Sequence, residues 1–226
     1  MGGSYRGVSV VITPGMGNEV VLKTCKWVGG VMLRHKRQRR MKDDKSDEEE
    51  EEEEVLLKSY KNNLYYKGEI REPEATKFCI KLKELADKYH DTDQNIIFHL
   101  TTQGGDIFAG LSMYEALRHS KIPVHVIAES CVCSAGTIIM LGASKRFMYT
   151  TSVILVHSLS SWMGGLQKPK EIREELQNSE TLLDIMSEVY KENTKLNKAN
   201  LKKLYDTDLY MRHDECVRLG FIDKVI

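Results

Sequence analysis

The sequence predicts an α/β fold with mostly parallel strand pairing, and three observations carry that prediction. Short apolar runs alternate with amphipathic helical stretches from Val55 to the C-terminus. Turns of glycine or small residues join strand to helix at Gly104-Gly105 and at Cys133-Ser134-Ala135-Gly136. The chain has 226 residues, enough to enclose one sizeable core.

Taken in order, Asn63 to Ile70 reads as a strand, and Glu74 to His90 places Phe78, Leu82, Leu85 and Ala86 at helical spacing. Asn95 to Thr101 is a strand that runs into the glycine turn. Ile107 to Arg118 reads as a helix with Leu111, Tyr114 and Leu117 on one face. Val124 to Ala128 is a strand, followed by a small-residue turn and an apolar helix from Ala135 to Leu141. Two short strands follow, Arg146 to Tyr149 and Val153 to His157. A long helix is expected over about Lys170 to Asn193, with Ile172, Leu176, Leu183, Met186 and Val189 among its apolar positions, and a shorter one over Lys198 to Tyr205. A small strand, a helical turn and Phe221 to Ile226 close the chain.

Residues 1 to 54 differ in character from the domain expected over 55 to 226. Val8 to Ile12 and Glu19 to Leu22 read as short strands, paired as a hairpin around Pro14-Gly15-Met16-Gly17-Asn18. Arg34 to Lys42 is basic, and Asp43 to Glu54 is acidic and ends in glutamates. Like charges repel and bury no apolar surface, so this stretch is expected to be a disordered or solvated arm; an arm that contacts a partner is the sharper alternative.

Lysine plus arginine and aspartate plus glutamate both number 33, so net charge argues for neither nucleic acid nor membrane binding. Five cysteines, scattered and odd in number, without a secretory signal, read as reduced thiols in a cytoplasmic setting. Cys131-Val132-Cys133 lacks a second ligand pair, so no metal is expected. No apolar run has transmembrane length.

Three separated segments carry chemistry. A serine hydroxyl is a weak nucleophile that needs an adjacent base. Ser134 stands where a strand ends and a small-residue helix begins, a place that exposes a hydroxyl. His157 ends an apolar strand, and Gly104-Gly105 lets a backbone N–H turn inward as an oxyanion donor. Each piece has a plainer reading: Gly-Gly as a turn, Ser130 or Ser134 as a helix cap, His157 as a structural histidine. Their order and spacing make the case.

At these residues the chain resembles the Clp protease proteolytic subunit (ClpP) family and the ClpP-like proteases of phage and other viruses. The resemblance runs from about Leu56 to Ile226 through GGDIFAG, CVCSAGTIIMLGASKRF, SVILVH and DTDLYMRHDECVRLGFIDKVI. It implies Ser134 as nucleophile, His157 as base and Asp208 as the third member, with Asp206 a near rival and Asp214 a distant one. It implies Gly105 and Ala135 as oxyanion donors. Asp106, Ile107 and Phe108 would pair with substrate as a strand, and Gly164 and Gly165 would form the other wall.

The resemblance further implies a crotonase-like spiral of βαβ units, with Lys170 to Asn193 as a protruding handle helix. It implies homo-oligomeric rings, heptameric and stacked in pairs, that cleave peptides or unfolded proteins without a cofactor. ATP would be used by an unfoldase partner, since the chain lacks a phosphate loop. Four departures bear on substrate range: Asp106 at the oxyanion turn, expected to face away or to pair; Thr102-Gln103 where Ser-Pro is common; a long loop from Ser158 to Met163 with Trp162; and the charged arm. Competing readings are a non-catalytic subunit of a mixed ring, a virion or prohead-maturation protease, and an acyl-CoA enzyme of crotonase fold.

Overall fold

The structure is a computed structural model that describes residues 9–11, 25–28, 31–34, 55–162 and 168–226. It divides into two compact units. One gathers Met1–Glu52 with Ser158–Ile185, and the other Glu53–His157 with Met186–Ile226.

The second unit is built on a seven-stranded sheet. Its strands are β4 (Leu56–Tyr60), β5 (Asn63–Lys67), β6 (Ile96–Thr102), β7 (Val124–Cys133), β8 (Lys145–Met148), β9 (Val153–Leu155) and β11 (Lys224–Val225). The path runs β11-β8-β7-β6-β5-β4, and β9 also pairs with β7. Every pairing is parallel except that of β4 with β5. Those two form a hairpin whose turn places Lys61 at φ 53°. β4 was not foreseen. Its residues alternate between exposed and half-buried, a weak apolar signal at a sheet edge.

Helices α1 (Glu72–Tyr89), α2 (Ile107–Arg118) and α3 (Ala135–Leu141) form against the sheet as the parallel crossovers demand. On β6 strict alternation buries Ile96, Phe98, Leu100 and Thr102. Phe98 meets Phe78 of α1 at 4.7 Å between ring centroids. Each such fully buried apolar side chain contributes about 1.5–3 kcal/mol. All seven residues of α3 are buried, which is why its sequence is apolar all round. The opposite face of β5, β6 and β7 carries half-buried Tyr65, His99 and His125.

β7 runs on to Cys133, longer than the expected Val124 to Ala128, because it is bulged. Leu100 pairs with Ala128 but Thr102 with Val132, so β7 carries three residues, Glu129 to Cys131, opposite Thr101 alone. Ser130 takes φ 57° within this bulge. The outer edge of β7 is shared: His125 to Ala128 pair with β8, and Cys131 to Cys133 with β9.

In the first unit β1 (Ser9–Val11) pairs antiparallel with β10 (Ser160–Trp162), Val10 opposite Ser161. The expected partner of β1 in a hairpin, Glu19 to Leu22, lies outside the described residues. β2 (Cys25–Val28) and β3 (Val31–Arg34) make a hairpin that was not foreseen. Beyond Arg34 the charged blocks also lie outside the described residues.

The long helix α4 (Pro169–Asn193) changes character along its length. Ile172, Leu176 and Ile185 are exposed, whereas Met186, Val189 and Tyr190 are buried in the second unit. α5 (Lys198–Tyr205) is capped by Asn197, whose side chain accepts from the Asn200 N–H. α6 (His213–Leu219) ends at Gly220 in the left-handed conformation. Among the described residues, no helix is long and apolar enough to cross a membrane.

Candidate active site

Ser134 stands between β7 and α3 with φ 55° and ψ −126°. A side chain in that conformation costs about 1–3 kcal/mol and persists only where its surroundings enforce it. Two sets of contacts do so. The Ser134 N–H donates to the Leu155 carbonyl of β9 at 2.9 Å. The Ser134 carbonyl accepts from the Thr137 N–H at 2.9 Å and from the Thr137 hydroxyl at 2.7 Å. The Ser134 side chain does not cap α3, so the helix-cap reading of this serine fails. Ala135 is the first residue of α3, and its N–H has no intrahelical partner by position.

The glycine turn lies against this elbow. Gly104 and Gly105 have φ 109° and 144°, conformations that L side chains rarely adopt. A Cβ on Gly104 would fall 2.6 Å from the Ser134 Cβ, and one on Gly105 would fall 2.2 Å from the Ile70 carbonyl oxygen. The Ile70 N–H donates to the Gly104 carbonyl, and the Asp106 N–H to the Ile70 carbonyl, both at 2.8 Å. These bonds flank Gly105 and turn its own N–H away from Ile70, as alternation along an extended segment requires. Asp106 does pair: its Oδ1 accepts from the Ala109 N–H at 2.8 Å and caps α2. That cap corrects one expectation. Ile107 and Phe108 lie in the first turn of α2, not in extended backbone, and Phe108 is exposed. Only Gly105 and Asp106 remain extended for strand-like pairing. Gly164 and Gly165 lie outside the described residues.

His157 and Asp208 are both half-buried. Cys133 pairs with Leu155, two residues before His157. Ile154 and Met211 form an antiparallel bridge in which each N–H donates to the other's carbonyl, at 3.0 and 2.7 Å. The bridge ties the segment that runs on to His157, three residues after Ile154, to the segment that follows Asp208, three residues before Met211. Both rivals lie on or beside helices. Asp206 is exposed and ion-paired with Lys202 Nζ at 2.8 Å, and Asp214 is exposed in the first turn of α6. The bridge through Met211 carried no sequence signal, because a single antiparallel contact has no periodicity.

The cysteines beside the serine differ in their chemistry. Hydrogen bonding from the Cys133 thiol, then from Ser130, with Lys67 nearby, holds the Cys131 thiol below the ordinary range against the opposing effect of burial. Its sulfur also accepts from Gln103 Nε2 at 3.1 Å. Cys133 is pushed up, first by its bond to Cys131 and then by burial. Among the described residues, no group of three or more His, Cys, Asp and Glu side chains is placed to hold a metal.

A strained serine between a parallel strand and a buried helix, faced by a glycine turn, is an arrangement that serine hydrolases use. Comparison with known proteins narrows the class. The family model described as Clp protease matches residues 47–226, and the chain belongs to that family. It is 27% identical over 170 residues to an ATP-dependent Clp protease proteolytic subunit of Deinococcus radiodurans, covering 74% of this chain and 81% of the relative. It is 26% identical over 167 residues to the ATP-dependent Clp protease proteolytic subunit 1 of Borreliella burgdorferi, covering 72% and 83%. Among solved structures, a mutant ClpP1 from Listeria monocytogenes superposes with TM-score 0.65 at 22% identity, covering 74% of this chain and 91% of that one. The chain therefore has the ClpP fold.

Proposed function

We propose that this chain is a serine endopeptidase subunit that uses Ser134, His157 and Asp208 on peptides or unfolded proteins. The observation that carries the reading is the Ser134 elbow, strained at φ 55° and leaving its side chain free of the α3 cap. Membership of the Clp protease family supports it.

In this reading the Ser134 Oγ attacks the scissile carbonyl carbon as His157 takes its proton. The negative charge that forms on the carbonyl oxygen accepts from the Gly105 and Ala135 N–H groups. Loss of one such donor costs about 10²–10³ in kcat. His157 returns the proton to the leaving amine, and water then hydrolyses the acyl-enzyme. Asp208 holds the imidazole orientation and stabilises the imidazolium. Substrate lies along Gly105-Asp106 as an added strand, read through its backbone.

The Clp relatives are named ATP-dependent proteolytic subunits. In this reading the chain would assemble into a ring, with heptamers stacked in pairs as the working expectation, and ATP would be consumed by an unfoldase partner. The test is hydrolysis of a fluorogenic peptide together with fluorophosphonate labelling, comparing wild type with Ser134→Ala and reading assembly mass on the same samples. Stoichiometric labelling and cleavage that vanish in the alanine variant support the peptidase. An assembled wild type that is neither labelled nor active overturns it in favour of a structural subunit.

A further inference from the structure

The bulge in β7 interrupts the backbone ladder just before Ser134, and side chains of β6 bridge the gap. Between the pairs Leu100–Ala128 and Thr102–Val132 the ladder loses its register. Three residues at alternate positions, His99 and Thr101 of β6 and Gln103 just past its end, reach across the gap. The His99 Nδ1 lies 2.7 Å from Glu129 Oε1. The Thr101 hydroxyl donates to the Glu129 carbonyl at 2.7 Å. Gln103 Nε2 donates to the Cys131 sulfur. Polar backbone groups freed by a bulge need partners, and the Thr101 hydroxyl supplies one to the Glu129 carbonyl, while the other two contacts tie side chain to side chain.

His99 is held from both sides and from above. Its Nδ1 lies 2.7 Å from Glu129 Oε1, and its Nε2 lies 3.0 Å from the Asn63 Oδ1. Tyr65 stacks on the ring at 4.4 Å between centroids and 12° between planes. The His99 and Glu129 side chains are only 13% and 33% exposed, so solvent weakens the pair less than a surface one.

We propose that His99 and Glu129 are a positioning pair for Ser134: a hydrogen-bonded clamp that fixes the β7 bulge and so the spacing between the nucleophile and the Gly105 donor. The inference rests on the peptidase reading above. Neither residue touches substrate. They act through the bulge, four residues on from which β7 ends at Cys133. Misplacing a nucleophile by about 1 Å costs about 10²-fold in rate.

The experiment uses the full chain and the variants His99→Ala, Glu129→Ala, their double, and Glu129→Gln. It reads peptide kcat and KM, the fluorophosphonate labelling rate of Ser134, melting temperature and assembly mass. Each alanine variant is expected to lose about tenfold in kcat and labelling rate with KM within about twofold, and the double variant to be no worse than either single. Glu129→Gln, which keeps an acceptor oxygen and removes the charge, is expected to lose less. Unchanged rates, or losses that multiply in the double variant, overturn the pairing. Should the alanine variants fail to fold, the conservative variants His99→Gln and Glu129→Gln take their place, each expected to lose about threefold in kcat and labelling rate with KM unchanged. Both at the wild-type rate overturn the clamp. A wild type that takes no fluorophosphonate overturns the peptidase reading, and the positioning role with it; a labelled wild type with equally fast variants overturns the positioning role alone.

Discussion

Ile154 and Met211 each donate a backbone N–H to the other's carbonyl, and this one bridge ties the segment leading to His157 to the segment that follows Asp208. Asp206 lies two residues earlier in sequence, but it caps the end of α5 and pairs with Lys202. Asp208→Asn is therefore expected to lower kcat by about 10⁴, the loss seen when such a carboxylate no longer orients its histidine. Asp206→Asn is expected to stay within about twofold, since an exposed i,i+4 ion pair is worth only about 0.3–0.5 kcal/mol. Peptide hydrolysis at fixed pH measures both, and equal losses would remove the assignment.

Gly104 is irreplaceable for two separate reasons, its φ of 109° and the 2.6 Å approach that any Cβ would make to the Ser134 Cβ. Gly104→Ala is expected to destabilise the chain by about 1–3 kcal/mol and to lower kcat by about 100-fold as the elbow shifts. Urea unfolding and peptide turnover test the two effects separately. A variant with normal kcat would show that the elbow does not depend on this contact.

Cys131 is expected to be the thiol that reacts first. The Cys133 thiol donates to it, so its thiolate forms at lower pH than that of an ordinary cysteine near about 8.5. The rate of iodoacetamide labelling should rise with pH and level off below that value. Burial pushes Cys216 up to about 12, and Cys133 is raised as well, so both should stay unlabelled while the chain is folded. Peptide mass mapping across a pH series reads the order; earlier labelling of Cys133 or Cys216 would contradict it.

Tyr190 is fully buried, and its hydroxyl shares a hydrogen bond with Thr137, which in turn holds the Ser134 carbonyl. Tyr190→Phe leaves Thr137 its bond to Ser134. The expected result is a stability loss of about 1–2 kcal/mol by urea unfolding, with kcat within about threefold. A loss of activity without a loss of stability would show that Tyr190 reaches the elbow directly.

The helices were legible because their apolar spacing is local. Ile107 to Arg118, Ala135 to Leu141 and Lys198 to Tyr205 have the bounds that their residues predict. β6 was legible for the same reason, since burial on one face writes alternation into the chain. β4 was missed because an edge strand with an exposed face carries little of that signal. The bulge was missed because two extra residues in Val124 to Cys133 look like more strand.

By itself the sequence determined the α/β class, the family and the residue types that chemistry needs, because periodicity and motif order are properties of the linear chain. Only the tertiary structure decided that Asp106 caps α2, that β1 pairs with β10, and that Ser134 is held at positive φ by Leu155 and Thr137. It alone decided that His99 faces Glu129 across a bulge. Each of these depends on which distant backbone groups meet, and pairing between segments far apart in sequence is chosen by packing, not by the residues on either side.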